Sequence, residues 1–187
     1  MEYISEKGSE ICDQAFAQEV KKLSDAHLDR CYQCYTCTAG CPVAYAMDYY
    51  PHQIMRMVQL GVKERVLSCS TIWLCAACET CATRCPNEVD LVRVMDTLRE
   101  MALQKGVEVK EKNIVSMHKT FLSLVKSLGR QHEISLLVLL KMKTREFFKD
   151  MILGMRMFFK GKLKIMPHKI RGIDQIKEIF ERSQLKF

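Results

Sequence analysis

Residues 31–42 read CYQCYTCTAGCP and residues 75–86 read CAACETCATRCP, and these two stretches decide the fold of the chain. Both follow the pattern C-x-x-C-x-x-C-x-x-x-C-P and together hold eight of the ten cysteines. Bacterial ferredoxins ligate 4Fe–4S clusters through cysteines with this spacing. The sequence therefore predicts two 4Fe–4S clusters, and a protein through which single electrons pass.

The spacing also predicts how the cysteines divide between the clusters. Three thiolates two residues apart can converge on one cluster, whereas the fourth cysteine is one residue farther along and precedes a proline. In two-cluster ferredoxins that fourth cysteine ligates the other cluster. We therefore predict a crossed ligand set, with cluster 1 held by Cys31, Cys34, Cys37 and Cys85, and cluster 2 by Cys75, Cys78, Cys81 and Cys41.

Two other uses of cysteine fit the pattern less well. A structural zinc site takes four ligands in paired C-x-x-C arms, without a third C-x-x-C step or a C-P ending. A disulfide framework suits small secreted chains, and the start of this sequence shows no apolar export signal. Cys12 and Cys69 lie outside the pattern, and we expect both to be ordinary buried thiols.

Length and composition limit the possible classes of protein. A chain of 187 residues with 48% hydrophobic residues can form one domain with an extension, or two small domains. The longest dense apolar stretch, residues 134–140, is too short to span a bilayer. Cysteines kept free for clusters, with no visible signal peptide, predict a cytoplasmic location.

Charge is distributed unevenly along the chain. Residues 1–110 hold 12 Lys and Arg against 15 Asp and Glu, a net charge of −3, and residues 111–187 hold 17 against 7, a net charge of +10. We therefore predict two domains: a cluster-binding domain over 1–110 and a basic helical extension over 111–187.

Apolar residues recur at helical spacing throughout, which predicts an all-α protein. In the first domain, Pro51 and Gly61 bound one predicted helix, and Asn87 and Gly106 bound another. The 33 residues between Cys41 and Cys75 exceed the link of a compact bacterial ferredoxin, which favours the α-helical ferredoxin arrangement. The apolar positions that predict these two helices, and one before the first motif, are listed in chain order: Ile11, Phe16, Val20 and Leu23; Ile54, Met57 and Val58; and Leu91, Val94, Met95, Leu98 and Ala102.

The basic extension also predicts helices. One ends at Gly129, one is capped by Thr144, and one follows Pro167; their apolar positions are Ile114, Met117, Phe121, Leu124 and Leu128, then Phe147, Phe148, Met151, Ile152, Met155 and Phe159, then Ile173, Ile176 and Phe180. Solvated basic side chains on packed helices explain the charge most simply. Docking of acidic partner proteins is the next alternative, then contact with a membrane surface. Nucleic acid is not expected, because no recognition motif accompanies the charge.

The motifs with their flanks resemble a known family. RCYQCYTCTAGCP at 30–42 and IWLCAACETCATRCP at 72–86, followed by NEVDL at 87–91, are similar to the iron–sulfur C subunit of heterodisulfide reductase and its bacterial relatives. The resemblance implies an electron-transfer subunit with two 4Fe–4S clusters. Its expected partners are the flavin- and iron–sulfur-bearing A subunit and the disulfide-reducing B subunit of such a complex.

The chain lacks signs of a substrate site of its own, so no catalytic residue is predicted. It has no G-x-G-x-x-G fingerprint, and its five histidines are scattered and expected at the surface or at an interface: His27, His52, His118, His132 and His168. An alternative function is a redox-sensing or scaffold protein whose basic tail binds membrane or nucleic acid. Another is a relay subunit of a sulfur-oxidising or quinone-linked dehydrogenase complex.

Residues next to the ligands are expected to tune the clusters. A cation at Arg30 or Arg84 would raise a cluster's potential by favouring its reduced, more negative state, unless the side chain points into water. Tyr32, Tyr35 and Trp73 are expected to shield the clusters from solvent.

Overall fold

The computed structural model describes residues 12–144, 151–161 and 170–183, with no side-chain description for Met151 and Ile152. Every regular element within these ranges is a helix, which confirms the predicted all-α fold. The chain divides into two compact units, Met1–Glu111 and Lys112–Phe187. Each unit is described separately below.

The first unit contains seven α-helices and two short 3₁₀ turns, at Leu28–Arg30 and Ala44–Ala46, within its described residues. The four-residue helices contain a motif cysteine or directly precede one, whereas the longer ones form the core. The helices are α1 (Gln14–Ser24), α2 (Thr36–Ala39), α3 (Pro51–Leu60), α4 (Lys63–Ser68), α5 (Thr71–Leu74), α6 (Thr80–Thr83) and α7 (Leu91–Gln104).

The core of the first unit forms where α1, α3, α4 and α7 pack together. Most predicted apolar positions face it, including Phe16 and Val20 on α1. Leu23 does not: it is 58% exposed, because only Phe16, Val20 and Ser24 of α1 are buried and Leu23 lies off their face. Ile11 lies outside the described residues.

The predicted helix ends in this unit are mostly correct. Gly61 ends α3 at φ 77°, and an added Cβ there would lie 2.4 Å from the carbonyl oxygen of Asp13, so no other residue fits without movement. The prediction of Asn87 as the cap of α7 is wrong. Asp90 caps α7, accepting a hydrogen bond from the Arg93 N–H at 3.1 Å, and the Asn87 side chain donates to the Arg30 carbonyl instead.

The internal repeat extends beyond the cysteines into the helices that follow them. Three buried residues of α3 recur in α7 at a constant offset of forty positions: Ile54, Met55 and Val58 correspond to Val94, Met95 and Leu98. Each cysteine motif is therefore followed by a helix that contributes the same face to one core.

The second unit contains α8 (Lys112–Leu128), α9 (Glu133–Thr144), α10 (Met151–Phe159) and α11 (Ile173–Arg182). Helix α8 packs against α9 and α11, and Leu124 is buried there. Gly129 follows α8 at φ 77°, as predicted. Thr144 is the last residue of α9. The helix that Thr144 was predicted to cap, with Phe147 and Phe148 on its apolar face, would begin in residues 145–150, which lie outside the described residues. Within the described part of the chain, no helix is both long and apolar enough to cross a membrane.

Asp48 connects the two halves of the first unit. Its carboxylate accepts hydrogen bonds from the Ser70 N–H at 2.8 Å, the Thr71 N–H at 2.9 Å and the Thr71 hydroxyl at 2.7 Å. Burial raises the pKa of Asp48, but these hydrogen bonds outweigh burial and hold the pKa below its ordinary value. The segment after the first motif is thereby fixed to the helix that leads into the second.

We expect Asp48→Ala to lower the free energy of unfolding by about 1–3 kcal/mol, because the N–H groups of Ser70 and of the fully buried Thr71 lose their acceptor. Urea unfolding under anaerobic conditions, followed by circular dichroism, measures the change. The depressed pKa implies that the wild-type contribution is present above the ordinary pKa of 3.8 and is lost as pH falls through the folded value. Asp29→Ala, at a carboxylate 73% exposed, is the control and should stay within about 0.5 kcal/mol of wild type. Equal losses in both variants would contradict this role of Asp48.

Candidate iron–sulfur site

The two cysteine loops adopt the same backbone conformation. Gln33 and Tyr35 in the first loop, and Ala77 and Glu79 in the second, have φ between 49° and 66°. These are corresponding positions of the two motifs, and the left-handed region is costly for residues other than glycine. Two matched strained positions per loop indicate that each loop is held to one shape, which points to a ligand-binding role.

Short helices bring the two loops together. Helix α2 begins two residues after Cys34, helix α6 begins two residues after Cys78, and the two helices pack against each other. The third cysteine of each motif, Cys37 or Cys81, lies within its helix. The two motifs therefore face each other across the α2–α6 contact.

The four cysteines predicted for cluster 2 line one cavity, which Cys37 of the predicted cluster 1 set also lines. Cys75, Cys78 and Cys81 contribute from the second motif, and Cys41 reaches in from the first. Leu91, Val92 and Met95 of α7 close it with apolar surface. Burial raises the pKa of Cys75, and a charge on Cys41 adds to the rise, consistent with their closeness.

The residues predicted for cluster 1 also lie near one another. Burial raises the pKa of Cys37, and Cys31 and Cys34 add to the rise. Burial likewise raises the pKa of the Tyr32 hydroxyl, with contributions from Cys34 and from Cys85 of the second motif. Cys41 thus lies in the cavity of the second motif, and Cys85 is close enough to the first motif to influence the Tyr32 hydroxyl.

The environment of the thiols suits iron ligation. Burial raises the pKa of Cys81 to about 12, so its thiolate is unfavourable there without a compensating positive charge. Metal coordination supplies such a charge and deprotonates a bound thiol. Cys34 and Cys78 instead have lowered pKa values, chiefly because Thr36 and Thr80 hydroxyl groups lie 3.3 and 3.4 Å from their sulfurs.

Backbone and side-chain donors reach other sulfurs as well. The Val89 N–H donates to Cys85 Sγ at 3.3 Å, and the Gln33 side-chain amide donates to Cys31 Sγ at 3.5 Å. Hydrogen bonds of this kind set the potential of iron–sulfur clusters. Within the described ranges, no three Cys, His, Asp or Glu side chains are close enough together to bind a single metal ion. A 4Fe–4S cluster distributes its four cysteines over four irons and holds them farther apart than one ion does.

His52 is a neighbour of the first motif that sequence reasoning missed. It is 9% exposed at the start of α3, its Nδ1 lies 2.8 Å from the Thr38 hydroxyl oxygen, and its ring centroid lies 4.1 Å from that of Tyr35. Burial lowers the pKa of His52, which favours the neutral ring. The prediction of surface histidines is wrong for His52 and for His132, also buried; His168 lies outside the described residues.

Arg99 is a second missed neighbour. Its side chain is 14% exposed, and its guanidinium donates to the backbone carbonyls of Ile72 and Cys75 and to the Asp96 carboxylate. Arg99 lies on α7, outside both cysteine motifs, so the motif spacing does not identify it. Arg30 and Arg84, the two cations singled out in the sequence, are exposed.

The aromatic residues beside the motif cysteines, and the two cysteines outside the motifs, differ in burial. Trp73 is 4% exposed and packs in the core, whereas Tyr32 and Tyr35 are 62% and 59% exposed. Of the two cysteines outside the motifs, Cys69 is buried as predicted, and burial raises its pKa to about 11. The expectation is wrong for Cys12, which is exposed because it lies just before α1.

Comparisons with known proteins agree with this site. Residues 30–90 match the family model of the 4Fe–4S dicluster domain. Over 105 residues, 56% of this chain and 56% of the relative, the sequence is 35% identical to the C subunit of the H2:CoB-CoM heterodisulfide,ferredoxin reductase of Methanothermobacter marburgensis. Over 112 residues, 60% of this chain and 56% of the relative, it is 37% identical to the iron–sulfur C subunit of the CoB–CoM heterodisulfide reductase of Methanopyrus kandleri.

A third relative, the C subunit of the ferredoxin:CoB-CoM heterodisulfide reductase of Methanosarcina acetivorans, is 37% identical over 115 residues, 59% of this chain and 46% of the relative. The chain thus spans about half the length of the curated relatives it matches. Two 4Fe–4S clusters are the cofactors that such a domain holds. Residues 30–90 therefore match a 4Fe–4S dicluster domain, and over more than half of its length the chain is similar to the C subunit of heterodisulfide reductase.

Proposed function

We propose that this chain is the electron-transfer subunit of a heterodisulfide-reductase-type complex. It would pass electrons between a flavin-bearing subunit and a disulfide-reducing subunit. The observation that carries the proposal is the meeting of two complete C-x-x-C-x-x-C-x-x-x-C-P loops across α2 and α6. Each bound 4Fe–4S cluster would supply one-electron redox chemistry without transferring a proton.

The ligand assignment remains the crossed one. Cys31, Cys34, Cys37 and Cys85 would hold cluster 1, and Cys75, Cys78, Cys81 and Cys41 would hold cluster 2. The presence of Cys41 in the cavity lined by Cys75, Cys78 and Cys81 supports it, as does the influence of Cys85 on Tyr32 within the first motif. The protein's own part in the relay is to hold both clusters in one core and to bury their thiolates.

The second unit is proposed as the docking region for partner subunits. Residues 111–187 carry a net charge of +10, and α10 exposes Leu153, Met155, Phe158 and Phe159, the last at 80%. Exposed apolar side chains of this size usually mark a contact surface. Positive charge around them would steer an acidic partner to the surface and help it bind.

Crossed ligation predicts which cysteine substitutions resemble each other. Cys41→Ala should damage the same centre as Cys78→Ala, and Cys85→Ala the same centre as Cys34→Ala, each with loss of roughly half of the iron. Iron and sulfide analysis with EPR spectroscopy of anaerobically prepared protein identifies the centre. Cys12→Ala, at an exposed cysteine outside the motifs, should leave both centres intact. If Cys41→Ala and Cys34→Ala affect one and the same centre, ligation is not crossed.

The relay itself predicts electron flow through this chain between two partners. In the isolated complex, reduction of the flavin-bearing partner should reduce both clusters, and a disulfide substrate should reoxidise them. Rapid-mixing absorbance spectroscopy follows these steps. Cys34→Ala or Cys78→Ala should slow the flow at least about a hundredfold, since one of two relay sites is lost. Unchanged flow in both variants would show that electrons take another route.

The docking proposal predicts a loss of binding without a loss of clusters. Combining Phe158→Ser with Phe159→Ser should reduce recovery of the partner subunits at least about tenfold, because about 1.4 kcal/mol of contact free energy corresponds to that factor. Quantitative mass spectrometry after affinity purification measures recovery. Tyr45→Ser, at an aromatic residue 88% exposed in the first unit, is the matched control. Full recovery with the double variant, or binding to anionic vesicles in place of partner subunits, would exclude this surface as the docking region.

A further inference from the structure

The two cysteine motifs are held by equivalent side chains, one neutral and one charged. Before the first motif, the Gln59 side-chain amide donates to the carbonyls of Leu28, at 2.9 Å, and Cys31, at 3.1 Å. Before the second, Arg99 donates to the carbonyls of Ile72 and Cys75. Leu28 and Cys31 lie forty-four positions before Ile72 and Cys75.

The donors themselves also correspond. Gln59 lies on α3 and Arg99 on α7, forty positions apart, the same offset that relates the buried residues of these two helices. The repeat therefore keeps the structural task, which is to bind two carbonyls at the start of each motif. It changes only the charge of the group that performs the task.

We propose that Arg99 raises the reduction potential of the cluster held by the second motif above that of the cluster held by the first. The first electron to enter the chain then resides on the second-motif cluster. This inference rests on the proposed function, because it assumes that both clusters are bound and reducible.

The physical reason is the extra negative charge that one-electron reduction places on a cluster. A nearby cation stabilises the reduced state more than the oxidised state, which raises the potential. A guanidinium stays charged at any pH that the protein tolerates. Arg99 contacts the carbonyl of the first ligand of its motif from a largely buried position, where salt screens its charge far less than it would an exposed one.

Other charges near the two positions are weaker influences. Asp96 pairs with Arg99 at 2.9 Å, but the Asp96 side chain is 58% exposed, whereas that of Arg99 is 14% exposed. Arg56, which corresponds to Asp96 in the repeat, is exposed and donates to the Gln59 side-chain oxygen at 3.5 Å. Arg30 and Arg84 are exposed as well. The largely buried guanidinium in direct contact is the difference that should dominate.

The test is an EPR-monitored redox titration of the anaerobically purified full chain with both clusters bound. Arg99→Gln gives the second motif the side chain that the first already has. At the potential where the wild-type centre is half reduced, the ratio of reduced to oxidised centre should fall at least about tenfold, equivalent to about 59 mV. The other centre should keep its potential. The centre that shifts must be the one that Cys78→Ala removes.

Further variants separate charge from structure. Arg99→Lys keeps a cation and should restore most of the potential, although lysine cannot bind two carbonyls as a planar fork does. Arg93→Gln, on the same helix at a side chain 60% exposed, should leave both centres unchanged. Gln59→Arg should raise the first-motif centre. The exchange of both residues, Gln59→Arg with Arg99→Gln, should reverse the order of the two potentials.

The outcomes are distinguishable. A wild-type chain without two reducible 4Fe–4S centres would overturn the proposed function, and this inference with it. Two normal centres of which neither responds to Arg99→Gln, or of which both shift equally, overturn this inference alone. If Arg99→Gln loses a cluster, Gln59→Arg decides, and an unchanged first-motif centre in that variant counts against the proposal.

Discussion

The approach of the two cysteine loops across α2 and α6 is the constraint on which the first unit depends. Each loop contains two non-glycine residues at positive φ, and each buries thiols whose pKa burial raises. Neither feature is favourable in an isolated loop. Both become favourable when a metal cluster binds the sulfurs and fixes the backbone. The core of α1, α3, α4 and α7 then serves to hold two loops that would not keep this shape alone.

Two sets of hydrogen bonds between the halves of the first unit also hold the two cysteine motifs together. Asp48, just after the first motif, binds the start of α5, which leads into the second motif. Asn87, just after the second motif, donates to the carbonyl of Arg30, which precedes the first. The segment that follows each motif therefore fixes the residues that lead into the other motif. With crossed ligation added, the chain is closed in both directions, so that loss of either cluster should loosen both halves.

The sequence predicted the parts of this arrangement that depend on spacing. The cysteine pattern, the helix bounded by Pro51 and Gly61, and the stop at Gly106 follow from local backbone chemistry, and the structure has the expected helices. The misses depend on tertiary contacts. Leu23 continues a helical stripe but falls off the buried face, and Asn87 has the right chemistry for a cap but is taken by the Arg30 carbonyl. His52 and Arg99 gain their roles only from helices that return to the motifs, and no short window of sequence contains both partners.

The repeat extends beyond what the cysteine motifs alone indicate. Beyond the cysteines, its halves share few residue identities, such as Met55 with Met95, because a buried apolar position accepts Ile, Val or Leu at modest cost. Polar residues correspond only when the two halves are aligned by their buried residues. Gln59 then corresponds to Arg99, and Thr38 and His52 correspond to the apolar Ala82 and Val92. A duplicated scaffold keeps geometry the same in both halves and leaves polar neighbours free to differ. For an electron relay of the proposed kind this division would be useful: equal geometry would keep both clusters bound, and unequal neighbours would give the two sites different electron affinities, which a symmetric pair could not have.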